Sequence, residues 1–89
     1  MPSWPRKDPD EVLDYAIDWS ARLDGDTIAT SQFTLPPGIV ANSSSNTTTT
    51  TTVWLSGGTD GETYLIQNRI TTAGGRTMDQ TMKLKIKSR

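Results

Sequence analysis

From Thr77 to Lys87 the chain alternates without interruption: Met78, Gln80, Met82, Leu84 and Ile86 fall on one side, and Thr77, Asp79, Thr81, Lys83, Lys85 and Lys87 on the other. A side-chain period of two belongs to an extended strand with one face on a core and the other in water. The same period returns twice. Over residues 11–20, Leu13, Tyr15, Ile17 and Trp19 oppose Asp14, Ala16, Asp18 and Ser20; over 62–71, Tyr64, Ile66, Asn68 and Ile70 oppose Leu65, Gln67 and Arg69. Residues 11–20 also have a helical reading, with Leu13, Ile17 and Ala21 four apart, but Tyr, Ile and Trp suit a pleated surface and favour the strand.

Between these segments the pattern is weaker. Residues 27–35 form a further strand, with Ala29, Ser31, Phe33 and Leu35 on one face, ended by Pro36-Pro37-Gly38. Ile39 to Asn42 reads as a short strand and Ser43 to Asn46 as a flexible polar loop. The run Thr47–Thr52, continued by Val53-Trp54-Leu55, reads as another strand, because β-branching suits threonine to a sheet. Identical side chains on both faces specify register poorly, so Trp54 is expected to anchor it. Turns are expected at Leu23–Asp26, at Ser56–Gly61 and at Ala73–Arg76, whose paired glycines supply positive φ at no steric cost. Short strands with turn signals every eight to twelve residues or so imply an all-β antiparallel sandwich. Residues 1–10, MPSWPRKDPD, hold three of the five prolines and are expected to form an extended arm before a sandwich of residues 11–89.

Composition limits the chemistry. The 89 residues suit one domain, and with 33% hydrophobic residues a second core or a deep pocket is not expected. The chain has no cysteine and no histidine, so disulfides, thiolate nucleophiles, Ser–His and Cys–His pairs and the common zinc, copper and iron sites have no residues to form them. No apolar run approaches the ~20 residues of a membrane span, and the start carries no signal-peptide pattern. A net charge of −1 argues against nucleic acid as the partner. The glycine segments Ser56-Gly57-Gly58 and Gly74-Gly75 lack the lysine of a phosphate loop and lead to strands, and the threonine hydroxyls have no base to activate them. Nothing supports catalysis, and no cofactor, metal or small-molecule substrate is expected.

Charge is unevenly placed. Asp8, Asp10, Glu11, Asp14, Asp18, Asp24 and Asp26 crowd the first third, while Arg76, Lys83, Lys85, Lys87 and Arg89 crowd the end. The acids lack the spacing of a calcium loop, and a solvated or ion-pairing face is the simpler reading. If the first and last strands are neighbours, Asp14 and Asp18 face Lys83 and Lys85; if not, the asymmetry suits head-to-tail contact between copies. The threonine run is either a solvent-facing strand or an edge for a partner strand. Trp19 and Trp54, with Tyr15 and Tyr64, are expected to be structural. Trp4, clamped by Pro2 and Pro5, either packs on its own domain or inserts into a neighbour.

Two features resemble an immunoglobulin-like or fibronectin-type-III sandwich. Thr59-Asp60-Gly61-Glu62-Thr63-Tyr64 resembles a tyrosine corner, and the hairpin 62–87 resembles the last two strands of such domains. More of the chain is similar to a family of small bacteriophage virion proteins described as tail-fibre adaptors with an immunoglobulin-like fold. The segments Trp4–Pro9, Glu11–Tyr15, Asp18–Leu23, Asp26–Ser31 and Ile70–Arg76 carry that resemblance. It implies a non-enzymatic structural part of a virus particle, made in the bacterial host cytoplasm and located in the virion.

The expected role is docking between tail or baseplate and fibre, in several symmetric copies, through the arm and an edge strand. The partner-binding candidates are Trp4, Pro5, Arg6, Lys7, Pro9, Lys83, Lys85 and Lys87. Other virion proteins are the expected partners, with no nucleic acid and no membrane. Capsid decoration and carbohydrate binding are the alternative roles.

Overall fold

The computed structural model describes residues 2–88, and the alternating segments become strands in it. These are β1 (Leu13–Asp18), β2 (Ile28–Thr34), β3 (Ile39–Asn46), β4 (Thr50–Gly57), β5 (Thr63–Thr72) and β6 (Thr77–Lys85), with one helical turn, α1 (Ser20–Leu23), after β1. Two antiparallel three-stranded sheets result, in the orders β1-β4-β3 and β2-β5-β6. Their inner faces share one core. Tyr15, Ile17, Val53 and Leu55 enter it from the first sheet; Ile28, Ile66, Ile70, Met82 and Leu84 enter it from the second. Each such side chain stabilises the fold by roughly 1.5–3 kcal/mol through burial.

The three strongest alternations are legible residue by residue. Tyr15 and Ile17 are buried and Asp14, Ala16 and Asp18 exposed; on β5 every second residue from Tyr64 to Thr72 is buried; on β6 Met82 and Leu84 are buried and Lys83 and Lys85 exposed. The turn after β1 takes one helical form: α1 buries Leu23 and ends at Asp24, which sits in the left-handed region at φ 51.

The middle of the chain departs from expectation. Residues 43–46, expected as a loop, continue β3 to Asn46, and the first threonines form the turn instead, β4 starting at Thr50. There Thr48 and Thr49 give their carbonyls to the amides of Ile28 and Trp19. Trp54 is not a core residue: it is 43% exposed. Val53 and Leu55 take the inward phase of β4, and a period of two then turns the residue between them outward.

Register of the threonine run is held elsewhere. Thr51 is fully buried, and its hydroxyl donates to Asn68 Oδ1 at 2.7 Å. The Trp19 indole N–H is shared between Thr51 Oγ1 at 3.2 Å and Asn68 Oδ1 at 3.1 Å. Asn68 Nδ2 donates to Ser31 Oγ at 3.0 Å and to the Gln32 carbonyl at 3.1 Å. Both acceptor sites and both donors of the amide are therefore used. The network ties β4 of one sheet to β5 and β2 of the other, and it picks one threonine out of six identical ones.

Two sharp backbone turns close the opposite end. Tyr64 accepts the Thr59 amide at 3.0 Å on its hydroxyl, the bond back to the preceding turn expected of this segment. A Cβ on Gly38, which has φ +101, would lie 3.0 Å from that hydroxyl. Gly58, at φ +98, lies against the fully buried Ile86, and a Cβ there would meet Ile86 Cγ1 at 2.7 Å. Gly58→Ala therefore combines a disfavoured φ with overpacking, and it is expected to lower unfolding free energy by about 2–3 kcal/mol in urea titrations. Gly61→Ala meets nothing within 4 Å at φ +85, so about 1 kcal/mol is expected there.

Candidate docking surfaces

The two sheets have four edge strands, β1 and β3 in the first and β2 and β6 in the second, and they differ in what covers them. The lead-in closes the β6 edge. Ser3 and Lys7 form parallel bridges to Lys83 and Ile86. Trp4 and Lys7 donate their amides to the carbonyls of Lys83 and Lys85 at 3.0 Å, and Lys83 and Lys87 donate theirs to the carbonyls of Pro2 and Lys7 at 2.9 and 2.8 Å. Pro2 and Pro5 have no N–H to offer outward, so the segment that seals β6 does not present a new pairing edge of its own.

Trp4 also covers part of the β1 edge. Its ring stacks on Tyr15 at 4.9 Å, and its indole N–H donates to the Ala16 carbonyl of β1 at 3.1 Å. Only 8% of Trp4 is exposed, so between its own domain and a neighbour's, the chain itself supplies the burial.

Lys7 is buried completely. Its ammonium donates to the carbonyls of Asp8 and Gly57 at 2.8 Å and reaches that of Pro9 at 3.5 Å. Burial lowers its pKa, while the nearby charges of Glu11, Asp8 and Asp10 work the other way. Lys7 thus fastens the lead-in to the end of β4, and neither Lys7 nor Trp4 leaves a side chain for a partner. Of the other sequence candidates, Pro5, Arg6, Lys83, Lys85 and Lys87 are exposed, and Pro9 is half-buried.

The two remaining edges, of β2 and β3, lie at the ends of their sheets. β4 is the middle strand, bonded to β1 and β3, so the threonine run is no edge for a partner. From Val40 to Asn46 every residue of β3 is exposed, and the chain carries no charged residue between Asp26 and Asp60. Edge strands that are meant to stay single usually carry lysine, proline or an inward charge. β3 carries none of these, although a bulge between Ala41 and Ser43 interrupts it.

The acid-rich first third does not face the basic end across strands. β1 and β6 belong to different sheets, with Asp14 opposite Trp54 and Asp18 opposite Thr50. The carboxylates instead accept backbone amides at turns. Asp18 accepts Ser20 N at 2.9 Å, Asp26 accepts Thr27 N at 2.8 Å and Gly74 N at 3.1 Å, and Asp60 accepts Ser88 N at 2.9 Å. Arg69 and Asp79 pair at 2.7 Å across β5 and β6. Among the described residues no three acids gather into a metal-holding group.

These bonds pull the Asp18, Asp26, Asp60 and Asp79 carboxyls below the usual aspartate value. The leading causes are, respectively, the Ser20 amide, the Thr72 hydroxyl, the Ser88 amide and the Arg69 side chain. A carboxylate with a depressed folded pKa stabilises the fold above its unfolded pKa, and that contribution is lost as pH falls through the folded value. The melting temperature is therefore expected to hold from pH 7 to about 5 and to fall progressively below about pH 4. A melt unchanged down to pH 2 would remove these bonds from the account.

Among the described residues no concave pocket opens at the surface. A family model for podophage GP4 fiber-tail adaptor protein gp77 matches residues 7–85 of the chain. No curated protein matches it.

Proposed function

We propose that this chain, which belongs to the podophage GP4 fiber-tail adaptor protein gp77 family, joins tail or baseplate to fibre through two surfaces of an immunoglobulin-like sandwich. The chain is a structural phage protein of the fibre–tail adaptor type, and of the roles open to the sequence this is the one its family supports. The first surface is the lead-in side, where Pro5, Arg6, Lys83, Lys85 and Lys87 stay exposed beside the sealed β6 edge. The second is the open edge of β3, which takes an extended segment of another virion protein as an added strand.

One contrast carries the reading: β1 and β6 are covered by the chain's own first residues, while β3 is left long, exposed and uncharged. The Tyr64–Thr59 bond and the six-strand sandwich support the immunoglobulin-like assignment. No nucleic acid, membrane or small ligand is required, and the protein is made in the host cytoplasm before entering the virion.

The test is incorporation. Phage carrying Ser44→Lys on β3, or Arg6→Glu with Lys87→Glu on the lead-in side, are expected to assemble tails with at least tenfold fewer fibres, while the purified variants melt normally. A tenfold loss corresponds to roughly 1.4 kcal/mol taken from a docking contact. Full fibre complements in both variants would overturn the proposal.

A further inference from the structure

The two outer faces of the sandwich are matched opposites. On the first sheet, Asp14 and Trp54 are cross-strand partners, both exposed, and Asp18 lies further along the same face. Val40, 57% exposed, lies opposite Ser56, two residues along β4 from Trp54. The outward positions of β1 and β4 there carry acids and no base. On the second sheet, Leu65 and Lys83 are cross-strand partners, both exposed, and Lys85 stands two residues along β6. The acid of that face, Asp79, is already paired with Arg69.

Each face thus sets an exposed apolar side chain beside a charge, acidic on one side and basic on the other. Among the described residues Asp14, Asp18, Lys83 and Lys85 have no ion-pair partner in their own chain.

We infer that copies of this chain associate front to back, the Asp14–Trp54 face of one on the Leu65–Lys83 face of the next. Lysines brought to that face meet carboxylates and the indole ring together, an ion pair with a cation–π contact. Trp54 and Leu65 leave water on contact, which supplies the area-dependent attraction. A face meeting a different face is a heterologous contact, and repeated copies close into a ring or extend as a filament. Two acidic faces, or two basic ones, repel, so the contact excludes a back-to-back dimer. The second copy is therefore the occupant that the charge pattern itself specifies. The inference shares Lys83 and Lys85 with the lead-in side but uses neither Arg6, Lys87 nor the β3 edge, the positions varied in the incorporation test, so its failure and that of the proposed function are separable.

The experiment is sedimentation velocity on the full chain over a concentration series at low salt, repeated in 0.5–1 M NaCl, where screening shortens to a few ångströms. The sedimentation coefficient is expected to rise with concentration at low salt and to return to the monomer value at high salt. Asp14→Lys with Asp18→Lys, and Lys83→Glu with Lys85→Glu, are each expected to remain monomeric alone, and mixing the two is expected to restore association. All four positions are exposed, and matching circular dichroism spectra confirm folding.

A second measurement uses the absence of native cysteine: the double variant Asp14→Cys with Lys83→Cys is expected to form a ladder of disulfide-linked oligomers under mild oxidation. A wild-type chain that stays monomeric at every concentration, with a double-cysteine variant that gives no ladder, would overturn the inference. So would association that ignores salt and both charge reversals.

Discussion

Asn68→Ala is expected to destabilise the protein by about 3–5 kcal/mol, a large share of what a domain of this size holds in reserve. The reason is the number of groups that lose a partner together. Trp19, Thr51, Ser31 and the Gln32 carbonyl all bond to the Asn68 amide, and Trp19, Thr51 and Asn68 are shut off from water. A buried polar group left unpaired costs roughly 1–3 kcal/mol, and a cavity is added to that.

The conservative variant separates these terms. Asn68→Leu fills the space and leaves the Thr51 hydroxyl proton without an acceptor, although Thr51 Oγ1 still takes the Trp19 indole N–H; adding Thr51→Val removes both ends of the Thr51–Asn68 bond and leaves that indole N–H unpaired. The double variant is expected to differ from the sum of the single variants by about 1 kcal/mol or more in a double-mutant cycle, because the three groups share their bonds. Equal additivity in urea titrations would mean that the network does not act as a unit.

The second large effect is at Lys7. Lys7→Ala removes the donors to three carbonyls and a buried aliphatic stem, and it is expected to cost about 3 kcal/mol. Lys7→Met keeps most of the stem and is expected to cost less, about 2 kcal/mol, because the carbonyls still lose their partner. The local readout is hydrogen exchange. The amides of Trp4, Lys83 and Lys87 close the lead-in onto β6, and in Lys7→Ala they are expected to exchange at least tenfold faster than the β5 amides change. If the lead-in amides stay as protected as in the parent chain, Lys7 is not what fastens the segment.

Much of the fold was legible because three segments carry a strict period of two, which permits only one inward phase. Tyr15, Tyr64, Ile66, Met82 and Leu84 all lie where that period puts them. Trp54, expected to be a structural anchor among its apolar neighbours, turns outward instead. Val53, Trp54 and Leu55 in a row allow either the flanks or the centre to face inward, and burying two aliphatic residues with Thr51 on the network outweighs one indole. The β3 extension was missed for a different reason. Ser43 to Asn46 have loop composition, and their strand form comes from pairing with Trp54, Val53, Thr52 and Thr51, which no local propensity records.

The candidate site was less legible than the core. Trp4 and Lys7 look available in the sequence, one an aromatic between prolines and the other a lysine among acids. Their burial depends on the lead-in lying parallel to β6, a contact between residues about eighty apart in sequence. Of the other partner-binding candidates, Pro5, Arg6, Lys83, Lys85 and Lys87 lie exposed beside that contact. The exposure of Trp54 also had a signal in the sequence: an apolar triplet in a strand must turn one member outward.

Cryo-electron microscopy of intact particles, at a resolution that traces strands, tests the central claim most directly. The account predicts this chain in several copies at the junction of tail and fibre. Each copy is expected to have its lead-in on its own β6, an added strand on β3, and the Asp14–Trp54 face covered by a neighbour. Density for the chain on the capsid lattice, or β3 open to solvent in every copy, would contradict it.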